Sequence, residues 1–369
     1  MDNDSTVFVG LDVHKDTIAV ARVGTGSDDP VVDVATIGTQ QYAIDRLIAK
    51  LSGRGRLRFV YEAGPCGFWL QRYLTGKGQA CVVAAPSLIP KRPGDWIKTD
   101  QRDARNLALA LRAGTLTAVH IPGPEQEAFR DVVRAWQQSK RDVAKGKQRL
   151  KAFLLRNDIR YAGKASWSEA HRRWLAKLVL ASAVQQVVFQ ELVDTITERA
   201  ARRSRLEAQM TELAPSWSGY PAAQALLAFR GVQQAVAYGV VAEAGDFARF
   251  SHPRQFMAWL GLVPSEHSSG GTRRQGGITK TGNRWARTLL VEAAWAYRHT
   301  AKVSPIIEQR AQDIDPALRA IAWKAQLRLT RKYRRMRARG KQHNVIVTAI
   351  ARELAGFLWD AARLVNQTP

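Results

Sequence analysis

The chain has 369 residues, 46% of them hydrophobic, which is enough for two or three domains with sizeable cores. Its formal net charge of +24 predicts a polyanionic partner. A membrane protein is excluded because no run of eighteen apolar residues occurs, and the absence of a signal-peptide pattern predicts a cytosolic protein. Cys66 and Cys81 are the only cysteines, so neither a disulfide framework nor a thiolate metal cluster is supported.

The first ninety residues predict a mixed sheet. Alternating apolar residues predict strands at FVGLDV, at Thr17–Val23 and at VVDVATIG. QQYAIDRLIAKL then predicts an amphipathic helix, RFVYEA a fourth strand, GFWLQRYL a helix and QACVVAA a fifth strand. Three strands followed by alternating helix and strand is the order of a ribonuclease H-like fold.

Four carboxylates occur where a metal-dependent nuclease needs them. Asp12 lies at the end of the first predicted strand and Glu62 at the end of the fourth, while Asp100 and Asp103 are three apart and share one face of the next predicted helix. Mg²⁺ prefers carboxylate oxygen, and a pair of ions about 4 Å apart can activate an attacking oxygen and stabilise a leaving one. Taken singly, each acid has a structural alternative as a turn residue beside His14, a helix cap or a helix-start acid.

The middle of the chain predicts long, charged helices after HIPGPEQEAF. Apolar residues recur at helical spacing from DVVRAWQQSK to EAQMTEL, and such helices can pair as an antiparallel coiled coil within one chain or between two. One portion is crowded with bases: Lys140, Arg141, Lys145, Lys147, Arg149 and Lys151. This crowding favours a dimerisation arm that also touches nucleic acid over a solvated spacer.

A third region begins near residue 215 and contains the motif SSGGTRRQGGITKTGNR. Its glycines permit close approach of the backbone to a phosphate. Nearby bases can neutralise that phosphate; they are Arg273, Arg274, Lys280, Arg284 and Arg287. A flexible basic linker remains the alternative interpretation. The preceding short, glycine-broken helices are compatible with a helix-hairpin-helix contact to phosphates.

The C-terminal tract RKYRRMRARGK holds seven bases in eleven residues and no acid. As a helix it would present bases around most of its circumference, with Tyr333 available to stack on a base or sugar. The tract is therefore predicted to bind the phosphates of DNA or RNA through Arg331, Lys332, Arg334, Arg335, Arg337, Arg339 and Lys341. The tryptophans, at mostly apolar helical positions, are predicted to be core residues.

Several motifs occur together in this chain: GLDVHK, YEAGP, KTDQRDA and the distal GLVP, SSGG and GITKTGN segments. They resemble those of the DEDD transposases of bacterial insertion sequences, the IS110 family of bridge-RNA-guided recombinases. The resemblance extends from Val9 to about Ala362. It implies a RuvC-like domain at 1–122, a helical coiled-coil or dimerisation region at 123–214, and a mostly α-helical transposase domain at 215–369. It maps the four acids onto Asp12, Glu62, Asp100 and Asp103, and a nucleophilic serine onto Ser269, with Ser268 left open.

The resemblance also implies the reaction and the partners. Serine would attack the DNA backbone with the help of Mg²⁺ or Mn²⁺ held by the acids, forming a phosphoserine link that strand exchange later reverses. The implied partners are donor and target double-stranded DNA, a non-coding guide RNA and further copies of the chain in a homodimer or homotetramer at the bacterial nucleoid. Two alternatives stay open: a structure-specific junction nuclease without a covalent intermediate, and a non-catalytic nucleic-acid-binding protein.

Overall fold

The computed structural model of the protein describes residues 5–90 and 99–365. The chain divides into two compact units, Met1–Ile121 and Pro122–Pro369. Within the described ranges, no helix combines the length and the apolar character needed to cross a membrane.

The first unit is a five-stranded sheet with helices on both faces. The strand order is β3-β2-β1-β4-β5, in which β1 pairs antiparallel with β2 and parallel with β4. The elements in chain order are β1 (Thr6–Val13), β2 (Thr17–Val23), β3 (Val32–Gly38), α1 (Gln41–Ser52), β4 (Arg56–Glu62), α2 (Trp69–Gly76), β5 (Ala80–Ala84) and α3 (Asp100–Arg112). The predicted order of three strands followed by alternating helix and strand is confirmed.

The two faces of this sheet have different partners because side chains alternate along a strand. Val9 and Leu11 of β1 point to the face covered by α1 and α2. Phe8 of β1 and Val60 of β4 point to the opposite face, where they pack against Leu107 of α3. Even-numbered residues of β1 and β4 therefore share a face with α3.

Helix α3 lies very close to β1. A Cβ atom at Gly10 would stand 2.0 Å from the carbonyl oxygen of Ala104, so only glycine fits at that position of the strand. The helix begins at Asp100 because the side chain of Thr99 accepts a hydrogen bond from the amide of Arg102, which caps the first turn. Close packing and capping together fix where the first turn of α3 lies.

The second unit is mostly α-helical, with one β-hairpin. Its helices are α4 (Pro124–Arg156), α5 (Glu169–Lys177), α6 (Ala183–Leu213), α7 (Tyr220–Leu226), α8 (Gln234–Ala244), α9 (Pro253–Trp259), α10 (Arg284–Ala294), α11 (Pro305–Arg310), α12 (Pro316–Ala338) and α13 (His343–Val365). The hairpin consists of β6 (Pro264–Glu266) and β7 (Gln275–Ile278).

Helices α4 and α6 form an antiparallel pair within the chain. The indole of Trp136, early in α4, donates to Glu207, late in α6, at 3.3 Å. Further along, Arg199 donates to the carbonyl of Asp142 at 3.1 Å. The later residue of α4, Asp142, thus contacts the earlier residue of α6, Arg199. The two helices therefore run in opposite directions.

The base of this helical pair shares one core with the C-terminal helices. Trp136 of α4 and Met210 of α6 are buried in the same cluster as Tyr238, Leu290 and Leu354. The sequence-based boundary at 214 therefore falls inside one packed unit, and the division into three domains stays a prediction. Of the tryptophans predicted to be core, Trp136, Trp217 and Trp359 are buried, and Trp259 and Trp295 are partly buried against the same core.

Candidate active site

The predicted acids converge at one end of the sheet in the first unit. Leu11 of β1 pairs with Tyr61 of β4 in parallel register, so Asp12 and Glu62 follow side by side at that end. Both are even-numbered and so lie on the face covered by α3. The first turn of α3 brings Asp100 and Asp103 to the same end, and their carboxylates act on the pKa of Asp12.

His14 lies between two of these acids. Its Nε2 is 3.2 Å from Oδ2 of Asp12 and 3.4 Å from Oδ1 of Asp100. Burial raises the pKa of Asp12, His14 lowers it, and the charges of Asp103 and Asp100 raise it further. The sequence analysis did not predict His14 as a site residue, although it follows Asp12 by only two residues, directly after the end of β1.

The donor set fits a divalent cation. Ligand atoms of Asp12, His14 and Asp100 all lie within 4.8 Å of one another, which makes them the candidate metal cluster among the described residues. Carboxylate oxygens suit Mg²⁺ and Mn²⁺, and an imidazole nitrogen suits transition metals better than Mg²⁺. Glu62 and Asp103 lie outside this tight group but at the same end of the same face.

The serine motif of the second unit forms the turn of the β6–β7 hairpin, here called the serine hairpin (residues 264–278). Its arms are joined by the amide of His267, which donates to the carbonyl of Arg274 at 2.9 Å. The tip closes between Ser269 and Thr272, with Gly270 at φ 58°, a left-handed conformation that favours glycine. These hydrogen bonds give the motif the fold of a β-hairpin.

The two serines have different surroundings. The hydroxyl of Ser268 donates to Glu266 at 2.9 Å and accepts from the amide of Arg274 at 3.2 Å. Ser269 is exposed, and its hydroxyl has no hydrogen-bond partner within the described part of the chain. The guanidinium of Arg273 lies 3.3 Å from Glu266 and remains largely exposed.

A buried carboxylate anchors the turn that follows the hairpin. Glu243 of α8 is fully buried and accepts two hydrogen bonds from Arg134, at 2.6 and 2.8 Å. It also accepts from the side-chain amide of Asn283 at 2.7 Å, and Asn283 in turn caps α10. Glu243 thus ties α4 to the Lys280–Asn283 turn, whose Lys280 is exposed.

Replacing Glu243 with alanine should therefore strongly destabilise the second unit. The change leaves Arg134, whose side chain is 32% exposed, without its carboxylate partner, an effect of about 3 kcal/mol. Urea denaturation should show a lower midpoint. Glu292→Ala is the matched control, because Glu292 pairs with Lys140 in an exposed ion pair worth at most about 1 kcal/mol. Equal midpoints for the two variants would contradict an anchoring role for Glu243.

The C-terminal basic tract belongs to α12 and has one buried face. Tyr333 is 5% exposed and bonds to His343 at 2.6 Å, so it is not available to stack on a base. Lys332 is tied to Glu353 at 2.6 Å. Arg334 donates to Thr300 at 3.0 Å and Arg337 contacts His343 at 2.7 Å, but neither has an acidic partner. The exposed bases are Arg331, Arg334, Arg335, Arg337, Arg339 and Lys341. Six of the seven bases of the tract are therefore exposed, and the covered strip of the helix carries Tyr333 and Lys332.

Other predicted phosphate ligands are engaged inside the protein. Arg287 donates to the carbonyl of Leu260 at 2.7 Å, and burial lowers its pKa. Among the crowded bases of α4, Arg141 lies over the ring of Trp285 at 4.4 Å and Lys147 over that of Trp167 at 4.5 Å. These cations have structural partners, whereas Arg274 and Arg284 are exposed.

Comparisons with known proteins agree over most of the chain. Residues 9–157 match the profile of the DEDD transposases of IS110 type, and residues 223–312 match that of the transposase IS116/IS110/IS902 family. A Sinorhizobium fredii protein, y4qE, which is named as a transposase, is 42% identical over 98% of this chain and 90% of its own length. The transposase for insertion sequence element IS1533 of Leptospira borgpetersenii is 31% identical over 91% of this chain and 98% of its own.

Proposed function

We propose that this chain, which belongs to the IS110 family of insertion-sequence transposases, cuts and rejoins DNA strands. The reaction would pass through a phosphoserine intermediate on Ser269. A guide RNA would choose the DNA sites. The observation that carries the proposal is the convergence of Asp12, Asp100 and His14 at one end of the sheet. The two carboxylates repel each other, and a bound cation would offset that repulsion with His14 as a further donor.

The first unit, which we take as RuvC-like, would hold the metal. Asp12, Asp100 and His14 offer converging donor atoms, with Glu62 and Asp103 beside them. When bound, Mg²⁺ or Mn²⁺ supplies Lewis-acid stabilisation of charge on the reacting phosphate. The protein's contribution is to hold the carboxylates in place, which the packing of α3 on Gly10 achieves.

The second unit would supply the nucleophile. The Oγ of Ser269 forms a bond to phosphorus while one phosphorus–oxygen bond of the DNA backbone breaks; the serine proton is lost and the released strand end gains one. After strand exchange, a DNA hydroxyl attacks the phosphoserine, a new phosphodiester forms and the serine hydroxyl is restored. Because the number of phosphoester bonds is unchanged, no nucleotide hydrolysis is needed. Arg273 and Arg274 can stabilise the charge that develops on the phosphoryl oxygens.

The covalent intermediate can be tested directly. Purified protein is incubated with its RNA, Mg²⁺ and end-labelled DNA, and the products are separated on a denaturing gel with and without protease. We expect a retarded, protease-sensitive band. Cleaved DNA without that band would support a junction nuclease instead, and binding without cleavage would support a non-catalytic protein.

A guide RNA is proposed as the second nucleic-acid partner. The net charge of +24 and the exposed bases of α12 provide more cationic surface than a short DNA contact requires. Sequencing of the RNA that co-purifies with the protein should recover one defined non-coding species. Recovery of only fragments of abundant cellular RNA would contradict this part of the proposal.

The exposed bases of α12 should set the salt dependence of binding. Neutralising Arg334, Arg335 and Arg337 together should flatten the plot of log affinity against log salt by about 0.9 for each phosphate that is no longer neutralised. Filter binding at several salt concentrations measures the slope. Lys332→Gln is the control in the same tract, because Lys332 already pairs with Glu353 and should leave the slope unchanged. An unchanged slope in the triple variant would mean that the tract faces solvent.

We also propose a homodimer or homotetramer. Apolar side chains are exposed around the start of α6, at Val179, Val184, Val187 and Val188. Exposed apolar groups in such a cluster are typical of a protein–protein interface. This placement on the α4–α6 pair supports the predicted role of these helices in dimerisation.

A further inference from the structure

The serine hairpin contains a carboxylate that the proposed chemistry does not use. Glu266, the last residue of β6, accepts hydrogen bonds from Ser268 at 2.9 Å and from the side chain of Gln275 at 3.0 Å. It also forms an ion pair with Arg273 at 3.3 Å. Hydrogen bonds from Gln275, Ser268 and Arg273 hold the pKa of Glu266 below its usual range. An ionised carboxylate therefore lies close to the place where a phosphate must bind.

The carboxylate of Glu266 would repel a DNA phosphate. Contacts of Glu266 within the hairpin must offset this repulsion. One role is visible in the bonds of Ser268. Its hydroxyl proton is directed to Glu266, while its oxygen accepts the amide of Arg274 from the other arm of the hairpin. Glu266 thereby makes Ser268 a crosslink between the two arms.

A second role concerns Arg273. A guanidinium carries five N–H donors, so the contacts with Glu266 leave other donors free for a phosphate. Fixing the plane of the guanidinium in advance reduces the side-chain entropy lost when a phosphate binds. Arg273 is thus oriented by Glu266 rather than neutralised by it.

We propose that Glu266 is a positioning residue for strand attack: through Ser268 and Arg273 it fixes the tip of the hairpin so that, of the two serines, Ser269 presents a free hydroxyl to the phosphate. The proposal rests on the proposed function. It also assigns Ser268 a structural role, because its hydroxyl already donates to Glu266 and accepts from the amide of Arg274.

The test compares Glu266→Ala, Glu266→Gln and Ser268→Ala by the rate of covalent adduct formation at saturating DNA and by DNA affinity. Misplacement of the nucleophile by about 1 Å costs about 100-fold in rate, so Glu266→Ala should slow adduct formation by roughly 10- to 100-fold. DNA affinity should change less than the rate, because removal of a negative charge offsets the loss of the pre-oriented guanidinium of Arg273. Glu266→Gln should recover part of the rate, since its amide oxygen can still accept from Ser268.

Two controls separate positioning from other effects. Glu308→Ala removes an exposed carboxylate from α11 of the same unit and corrects for the change in net charge. In the double variant, Glu266→Ala should cost much less once Ser268 is alanine, because the two residues act as one unit. Fully additive losses, or a wild-type rate of adduct formation in Glu266→Ala, would overturn the proposal. Absence of any adduct with wild-type protein would instead overturn the proposed function.

Discussion

Replacing Ser269 with alanine should eliminate both the covalent protein–DNA adduct and recombination. The hydroxyl of Ser269 is exposed and unbonded within the described residues, and the neighbouring Gly270 and Gly271 leave open space around the tip of the hairpin. Loss of the attacking oxygen removes the first chemical step, so the rate should fall by at least about 10³-fold. The measurement is a denaturing gel of end-labelled DNA followed by protease treatment. DNA binding should be unchanged, because the substitution removes no charge.

Ser268→Ala is the matched control for this prediction. It removes a hydroxyl oxygen from the adjacent residue and so breaks the hydrogen bonds to Glu266 and Arg274. The attacking hydroxyl of Ser269 stays in place. The adduct should therefore still form, more slowly. An adduct that survives Ser269→Ala but disappears with Ser268→Ala would reverse the assignment of the two serines.

Removal of a single acid from the first unit should abolish strand cleavage while nucleic-acid binding persists. Asp12→Asn keeps the size of the side chain but replaces a carboxylate that points into the cluster with His14 and Asp100. Loss of one charged ligand should lower cleavage by at least about 10³-fold, equivalent to about 4 kcal/mol of transition-state stabilisation. Mn²⁺ binding measured by calorimetry should weaken in parallel, which gives a readout independent of activity.

The same assay applies to Glu62, Asp100 and Asp103. Asp45→Asn is the control, because Asp45 lies on α1, which covers the opposite face of the sheet, and bonds to Tyr73 at 2.8 Å. It should cleave DNA at the wild-type rate. If Asp103→Ala also recombines at the wild-type rate, Asp103 does not belong to the metal site.

Local patterns in the sequence determined the secondary structure of this protein. The alternation of apolar residues predicted the second strand at Thr17–Val23, which is the extent of β2. Helix α3 spans Asp100–Arg112, so Asp100 and Asp103 both lie on a helix, as their spacing predicted. The sequence also identified the acids and the serine motif as candidates. Only a few residue types act as metal ligands or nucleophiles, and here they stand within recognisable motifs.

Only the tertiary structure decided how these elements meet, because contacts between distant residues leave no periodic trace along the chain. The close packing of α3 on Gly10 brought Asp100 near Asp12, where His14 contacts both carboxylates. The pairing of β6 with β7 distinguished Ser268, held by Glu266, from the free Ser269. One side of α12 is buried because an amphipathic helix packs its apolar side against the core, together with any polar groups on that side. Tyr333, predicted to stack on a base, is therefore buried. Lys332, predicted to bind phosphate, pairs with Glu353 instead.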